Sequence, residues 1–276
     1  MDRRVLLQFA AVALASPSVV FAQAEKRYRV GWLTAAKASD ATTPFYRRIR
    51  AEFLTAMAER GYVEGKNFVF DVRYAEGDAT RFPAMAEELI ALKPDALIGV
   101  QTMALAMIAK TKTIPIVMNT SIDPVGAGLV KIARKAARSK RLTLTVATAA
   151  NANEIKRAFD EFEKRRIDIV VISTAATLLA QRNEIINEAR RMRLPTVFGV
   201  ATYAESGGLL SYGPDIVGNF RVVAELIDQI FKGAKPADLP LRQTAKFELV
   251  VNLKAAREID ITVPQSLLFR ADRVIE

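Results

Sequence analysis

What most constrains this chain is the regular switching of its apolar pattern between two periods. Short runs rich in β-branched and aromatic residues at 28–33, 68–74, 96–100 and 114–119 read as strands. The stretches 45–60, 80–92 and 102–110 carry apolar residues three and four apart and read as helices, with Gly61 stopping the first and Pro94 following the second. A second cycle follows, with strands at 142–147, 168–173, 196–200 and a shorter one at 209–212, and helices at 153–165, 178–193 and 215–232. Strand and helix in alternation build parallel sheets with helices on their faces, because a parallel pair needs a crossover long enough to hold a helix. The fold class is therefore α/β, with the parallel-sheet programme run twice.

The first residues bear on where this fold works. Met1, Asp2, Arg3 and Arg4 make a short basic start, 5–15 is an apolar run, and Ala22-Gln23-Ala24 has the small-x-small pattern of a processing site. The expectation is an export signal over 1–24, cleaved near Ala24/Glu25, and a soluble periplasmic product. As a membrane anchor the run falls short of the roughly 20 residues a spanning helix needs, and Ser16 and Pro17 interrupt it.

Composition then narrows the chemistry. The chain has no Cys and no His, which excludes disulfides, a thiol nucleophile, a lipid-accepting cysteine, an imidazole base and an ordinary zinc site. Neither G-x-G-x-x-G after a strand nor G-x-x-x-x-G-K-S/T occurs, so no nucleotide cofactor and no metal is expected. Carboxylate pairs such as Glu87 with Glu88 and Asp160 with Glu161 fall on helix surfaces. Binding rather than catalysis is the favoured class. The formal net charge is +10, and losing Asp2, Arg3 and Arg4 with the signal leaves +9. The basic run Lys131, Arg134, Lys135, Arg138, Lys140 and Arg141 forms a stripe at helical spacing with no interleaved aromatics, which reads as a solvated helix face and not a nucleic-acid surface.

In sheets of this kind ligands bind beyond the carboxyl ends of the strands. In the first lobe that directs attention to the loop 34–43, to Gln101 and Thr102, and to Asn119, Thr120 and Asp123; in the second, to Ser173, Thr174, Tyr203, Tyr212 and Asp215. Most have two readings. Asp123, held extended by Pro124, either points its carboxylate at a ligand ammonium or shapes the hinge. Asn119 and Thr120 either bond the ligand or satisfy loop backbone. Gln101 and Thr102 either reach the cleft or open a helix that Thr102 caps. Ser173 and Thr174 sit where a carboxylate or carbonyl can be held. Tyr203 and Tyr212 either form a flat apolar wall with a polar tip or pack beneath the cleft. Trp32, the only tryptophan, either stacks on ligand or belongs to the core.

The stretches TYAESGGLLSYGPD (202–215), IFKGAKPADLP (230–240) and KFELVVNLKAAREIDITVPQSLLFRADRVIE (246–276), with GYVEGKNFVFDVRYAEGD (61–78), TIPIVM (113–118) and DPVGAGLV (123–130), closely resemble the ABC-transporter substrate-binding proteins related to tryptophan- and tyrosine-binding proteins. The resemblance covers nearly all of the chain after residue 24. It implies a type I periplasmic binding fold, with two doubly wound parallel-sheet lobes joined by a hinge, a small-molecule ligand (an amino acid or related carboxylate) in the gap, and delivery to a membrane permease by a monomer. The lobes would be 25–125 and 126–276, with the C-terminal segment returning toward the hinge. The pattern departs from the family in one place. From DPVGAGLV the family continues through a Gly-rich crossing segment, a helix and a buried strand before reaching the helix that here reads KIARKAARSKR (131–141). This chain joins the two ends directly, omitting about two strand–helix units of roughly 30 residues each. The second lobe is thus expected to be truncated, and 142–147 and 168–173 must pair with each other or leave an edge open. Two other readings stand beside transport: an exported α/β enzyme using carboxylate and lysine chemistry, and a non-transporting sensor or interaction paralogue.

Overall fold

The structure, a computed structural model, describes residues 26–100, 102–118, 127–239 and 246–276. The signal reading of 1–24 lies outside them. The first half runs β1 (Tyr28–Thr34), α1 (Pro44–Ala58), β2 (Phe68–Tyr74), α2 (Phe82–Ala91), β3 (Ala96–Gly99), α3 (Thr102–Lys110) and β4 (Ile116–Met118). Their sheet has the order β2-β1-β3-β4, with every pair parallel. Alternation along β1 sorts its side chains between two faces. Val30 and Trp32 join one core cluster with Phe45, Ile49 and Phe53 of α1, and Leu33 joins another with Leu89 of α2 and Met107 of α3.

The chain continues through α4 (Ala127–Ser139), α5 (Ala152–Lys164), β5 (Val170–Ile172), α6 (Ala176–Ala180), α7 (Arg182–Arg191), β6 (Thr196–Phe198), α8 (Ala201–Glu205), β7 (Leu210–Pro214) and α9 (Ile216–Phe231). It ends with β8 (Phe247–Asn252), α10 (Leu253–Glu258), α11 (Gln265–Leu268) and β9 (Arg273–Ile275). The second sheet has the order β5-β6-β7-β8-β9, parallel except where β8 runs against β7. This is the expected α/β architecture of two separate, mainly parallel sheets.

One helix of the second half belongs in space to the first lobe. Asp215 caps α9 by accepting from Gly218 N at 2.9 Å, and the helix then lies along α1. Phe220 meets Trp32 edge-on at 5.1 Å, and Phe231 stacks on Tyr28 at 4.3 Å. Arg221 reaches Glu52 at 2.7 Å and pairs with Glu59. Burying a Phe such as Phe220 contributes about 2–3 kcal/mol, whereas ion pairs that stay in contact with water are screened and contribute little. The apolar face of α9 therefore holds it in place.

Two expectations are corrected. The strand at 142–147 does not form: 142–149 has no ladder partner among the described residues, and Leu142 is 66% exposed. In the resembled fold an intervening strand would lie between this segment and β5; without it, 142–149 stays unpaired and β5 pairs with β6 alone. The β5 edge stays open, with Val171 74% exposed. The helix expected over 178–193 is broken at Gln181 (φ −101°, ψ 19°) into α6 and α7. The break lets Arg182 turn inward while Ile185, Ile186 and Ala189 keep one buried face. The cations of the basic run lie exposed on α4 and the turn after it, forming no ion pair with any described residue. No helix among the described residues is long and apolar enough to cross a membrane.

Candidate functional site

The loops that follow β1 and β2 meet the α6–α7 break across the seam between the lobes. After β1 the chain enters a short 3₁₀ turn, Ala38–Thr42, in which the Asp40 carboxylate accepts from Lys37 N at 2.9 Å. After β2, Gly77 at φ +76° passes so close to α6 that a Cβ there would stand 3.2 Å from Ala180 Cβ. A glycine is required there on both counts.

At the centre of the seam Arg182 Nη2 donates to Asp40 Oδ1 at 2.6 Å, with each side chain only 7% exposed. Arg182 Nε also donates to Ser206 Oγ at 3.1 Å, and Nη1 to Leu179 O at 3.4 Å. Beside this pair Lys37 Nζ approaches Glu184 Oε1 at 3.4 Å in a second link between lobes. Aromatic rings enclose the ion pair. Tyr203 is fully buried, stacked on Phe198 at 4.3 Å, and Trp32 stacks between Tyr46 and Phe70 at 6.3 and 6.0 Å. Tyr203 Oη and Trp32 Nε1 are buried with no hydrogen-bond partner.

The electrostatics follow from this burial. Burial works against the charge on Arg182, but the hydrogen bond and charge of Asp40 outweigh it and hold the guanidinium above its ordinary pKa. Burial, reinforced by the Asp40 carboxylate, pushes the Tyr46 phenol well up. Burial does the same at Tyr203, partly offset by Arg182. All three groups keep the proton they carry at neutral pH. Ser206 accepts from a guanidinium instead of meeting a base, so the seam offers opposite charges, hydroxyls and ring faces suited to holding a molecule.

The lobes stand closed. A single apolar cluster runs from Trp32, Tyr46 and Phe53 to Phe159, Ile185, Phe198 and Tyr203. The gap that the hinged reading calls for is filled by side chains at Asp40 and Arg182. At the rim of the seam a cavity of about 210 Å³ is lined by Phe45, Arg48, Val200, Asp215, Glu248 and Arg273 among others. Glu205 joins its two lobes by taking both Arg48 and Arg273.

Of the residues singled out from the sequence, Gln101, Asn119, Thr120 and Asp123 lie outside the described residues. Tyr203 is in the seam wall. Asp215 lines the rim cavity, though its carboxylate is engaged as the α9 cap. Thr174 packs over Gly199, where a Cβ would meet its Cγ2 at 2.3 Å, and Ser173 lies next to it, half-buried. Thr102 is exposed at the start of α3, and Tyr212 is 58% exposed beside Phe247. Asp40 lay within the flagged loop 34–43 without being singled out. Arg182 was missed, yet its signal was in the sequence: a cation three, four and seven residues ahead of Ile185, Ile186 and Ala189, on the face that must be buried.

Comparison with known proteins gives a consistent result. The family model described as ABC transporter substrate binding protein matches residues 43–139 and again 129–275. The two stretches meet where the resemblance lacks its crossing unit. The tyrosine-binding protein of Clostridioides difficile is 21% identical over 269 residues, covering 79% of this chain and 78% of that protein. A conserved domain protein from Vibrio cholerae superposes with a TM-score of 0.80 at 22% identity, over 90% of this chain and 100% of the other. An ABC domain from Streptococcus pneumoniae, solved in complex with L-Trp, gives 0.78 at 22% identity, over 91% and 100%.

Proposed function

The chain belongs to the ABC transporter substrate-binding protein family, and from that premise we propose that it is the exported, periplasmic binding component of an uptake transporter, taking an amino acid or related carboxylate between its lobes and delivering it to a membrane permease. The lobes are 25–125 and 126–276, with α9 reaching back from the second to the first, and the protein acts as a monomer. Residues at and beyond the carboxyl ends of the strands supply the contacts: Gln101, Thr102, Asn119, Thr120 and Asp123 from one side, and Ser173, Thr174, Tyr203, Tyr212 and Asp215 from the other.

The observation that carries this reading is the seam itself. Buried polar and aromatic groups from two lobes converge on one point, Asp40 and Tyr46 from the first, Arg182 and Tyr203 from the second. A binding protein of this type works by a population shift, so its ligand must contact both lobes of the closed form more than it contacts the open one. Residues that meet only on closure provide that difference. The relatives that bind tyrosine and L-Trp support an amino-acid ligand. Isothermal titration of the folded protein against amino acids and small carboxylates tests the reading: heat with a rise in melting temperature is expected, and a folded protein that responds to none of them overturns it.

One observation favours a second reading. The open β5 edge and the unpaired 142–149 segment weaken the second lobe, as expected of a paralogue that kept the fold for signalling or interaction. Co-purification with a receptor instead of a permease would establish that alternative.

A further inference from the structure

The Asp40–Arg182 pair is unusual for its location. Two opposite charges, each 7% exposed, meet at 2.6 Å across a boundary between lobes. Taking both out of water costs several kcal/mol per ion, and a well-packed apolar pair would close the same seam as firmly. A buried pair at a moving boundary is accounted for if each member has a second partner when the lobes hold ligand.

We propose that Asp40 and Arg182, bonded to each other across the seam, are the two poles of an α-amino-acid site, and that when the lobes part and close on ligand they bond instead to the ammonium and the carboxylate of a zwitterion between them. This rests on the solute-binding reading above and adds the chemistry of recognition. An α-amino acid carries its two charges on one carbon, so a single short unit can take the place of the direct contact. The exchange conserves charge: the carboxylate–guanidinium pair becomes carboxylate–ammonium and carboxylate–guanidinium, and the closed seam stays neutral.

The surroundings fit. The Arg182 fork keeps its orientation through Ser206 Oγ and Leu179 O, and Asp40 is fixed through Lys37 N. A planar guanidinium matches a carboxylate with two parallel bonds, and an aspartate accepts from an ammonium. Around the poles stand Trp32, Tyr46 and Tyr203, and the unpartnered Trp32 Nε1 and Tyr203 Oη provide a donor and a donor–acceptor for a ligand side chain that is flat and tipped with a polar atom. A ligand with only one charge leaves the other pole buried and unpaired, which the site rejects by at least about 30-fold.

The test is calorimetry on the full chain with three sets of probes: tyrosine, tryptophan and other α-amino acids; tyramine and tryptamine, which lack the carboxylate; and 3-(4-hydroxyphenyl)propanoate and indole-3-propanoate, which lack the ammonium. The proteins are wild type, Asp40→Asn, Arg182→Met and the double variant, which replaces a buried ion pair with a neutral one and so keeps the fold even if a single change does not. Wild type should prefer one of the α-amino acids over its amine and acid analogues by at least about 30-fold. Asp40→Asn should shift preference toward the acid, Arg182→Met toward the amine, and the double variant should lose the preference for zwitterion. If α-amino acids bind and the variants bind them equally well, the pair is only a latch, the proposal falls and the solute-binding reading survives. If only uncharged solutes bind wild type, the zwitterion site falls while solute binding stands. If nothing binds a folded wild type, both fall.

Discussion

The hydroxyl of Tyr62 donates to Asp228 Oδ1 across 3.1 Å, joining the turn after α1 to the far end of α9, 166 residues later in the chain. Asp228 is also held by Lys232 at 2.9 Å, so removing the Tyr62 hydroxyl leaves its carboxylate one partner. Tyr62→Phe should cost about 0.5–1.5 kcal/mol, read as a lower urea midpoint at unchanged slope, with ligand affinity unaltered.

The same tyrosine sets an alkaline limit. Burial, then the bond to Asp228, pushes the Tyr62 pKa up from 10.0 to about 12, and burial raises Tyr46 and Tyr203 as well. A phenol raised on folding favours the neutral form in the native state. Its contribution is therefore complete below about pH 10, the unfolded value, and is lost as pH climbs toward about 12. Phenolate absorbance followed alongside the urea midpoint should show these groups ionising late and together with unfolding; early, independent ionisation would contradict their burial.

Phe220 fills the space between Trp32 and Phe53, with ring centroids at 5.1 and 6.3 Å. Phe220→Ala should destabilise by about 3–5 kcal/mol. Because Trp32 is the only tryptophan, its emission reports the change directly and should shift to the red as water enters.

Gly213 presses against the neighbouring loop so tightly that a Cβ there would stand 1.8 Å from Gly199 O, a backbone atom. Gly213→Ala must push β7 away from the Gly199 turn. The cost should exceed the usual overpacking range of about 1–3 kcal/mol, and hydrogen exchange should show protection lost in β6 and β7 before β1 and β3.

Val171 is 74% exposed on an edge strand paired on one side only. Edges of this kind invite pairing with another chain, and lysine discourages it. Val171→Lys should leave the urea midpoint within about 0.5 kcal/mol of wild type while reducing concentration-dependent association in light scattering.

The sequence made the first lobe legible almost residue by residue, because each of its strands and helices carries its own periodicity and finds the neighbour that periodicity implies. β2 and α3 fall at the expected ends, 68–74 and 102–110. The segment 142–147 has an equally good strand pattern and forms none, since a strand needs a ladder partner and its own pattern cannot supply one. The helix over 178–193 reads as continuous because Gln181 and Arg182 are both good helix formers; the break coincides with the bond of Arg182 to Asp40, 142 residues away, which no local pattern announces. For the same reason the site was half visible. Loop 34–43 can be located from topology; the spacing of Arg182 from Ile185, Ile186 and Ala189 marks it as a cation on a buried face, but which partner it meets depends on how two lobes come together, and local sequence does not encode that meeting.

Because α9 completes the aromatic face of the first lobe, the order of synthesis matters. Translation delivers β1 and α1 long before Phe220 and Phe231 leave the ribosome, so a nascent chain carries Trp32, Phe53 and Tyr28 without their cover for most of its length. Such an early product exposes apolar surface, and is prone to associate, until the last quarter of the polypeptide arrives. Truncations that stop before residue 216 should therefore aggregate and not yield an independent half.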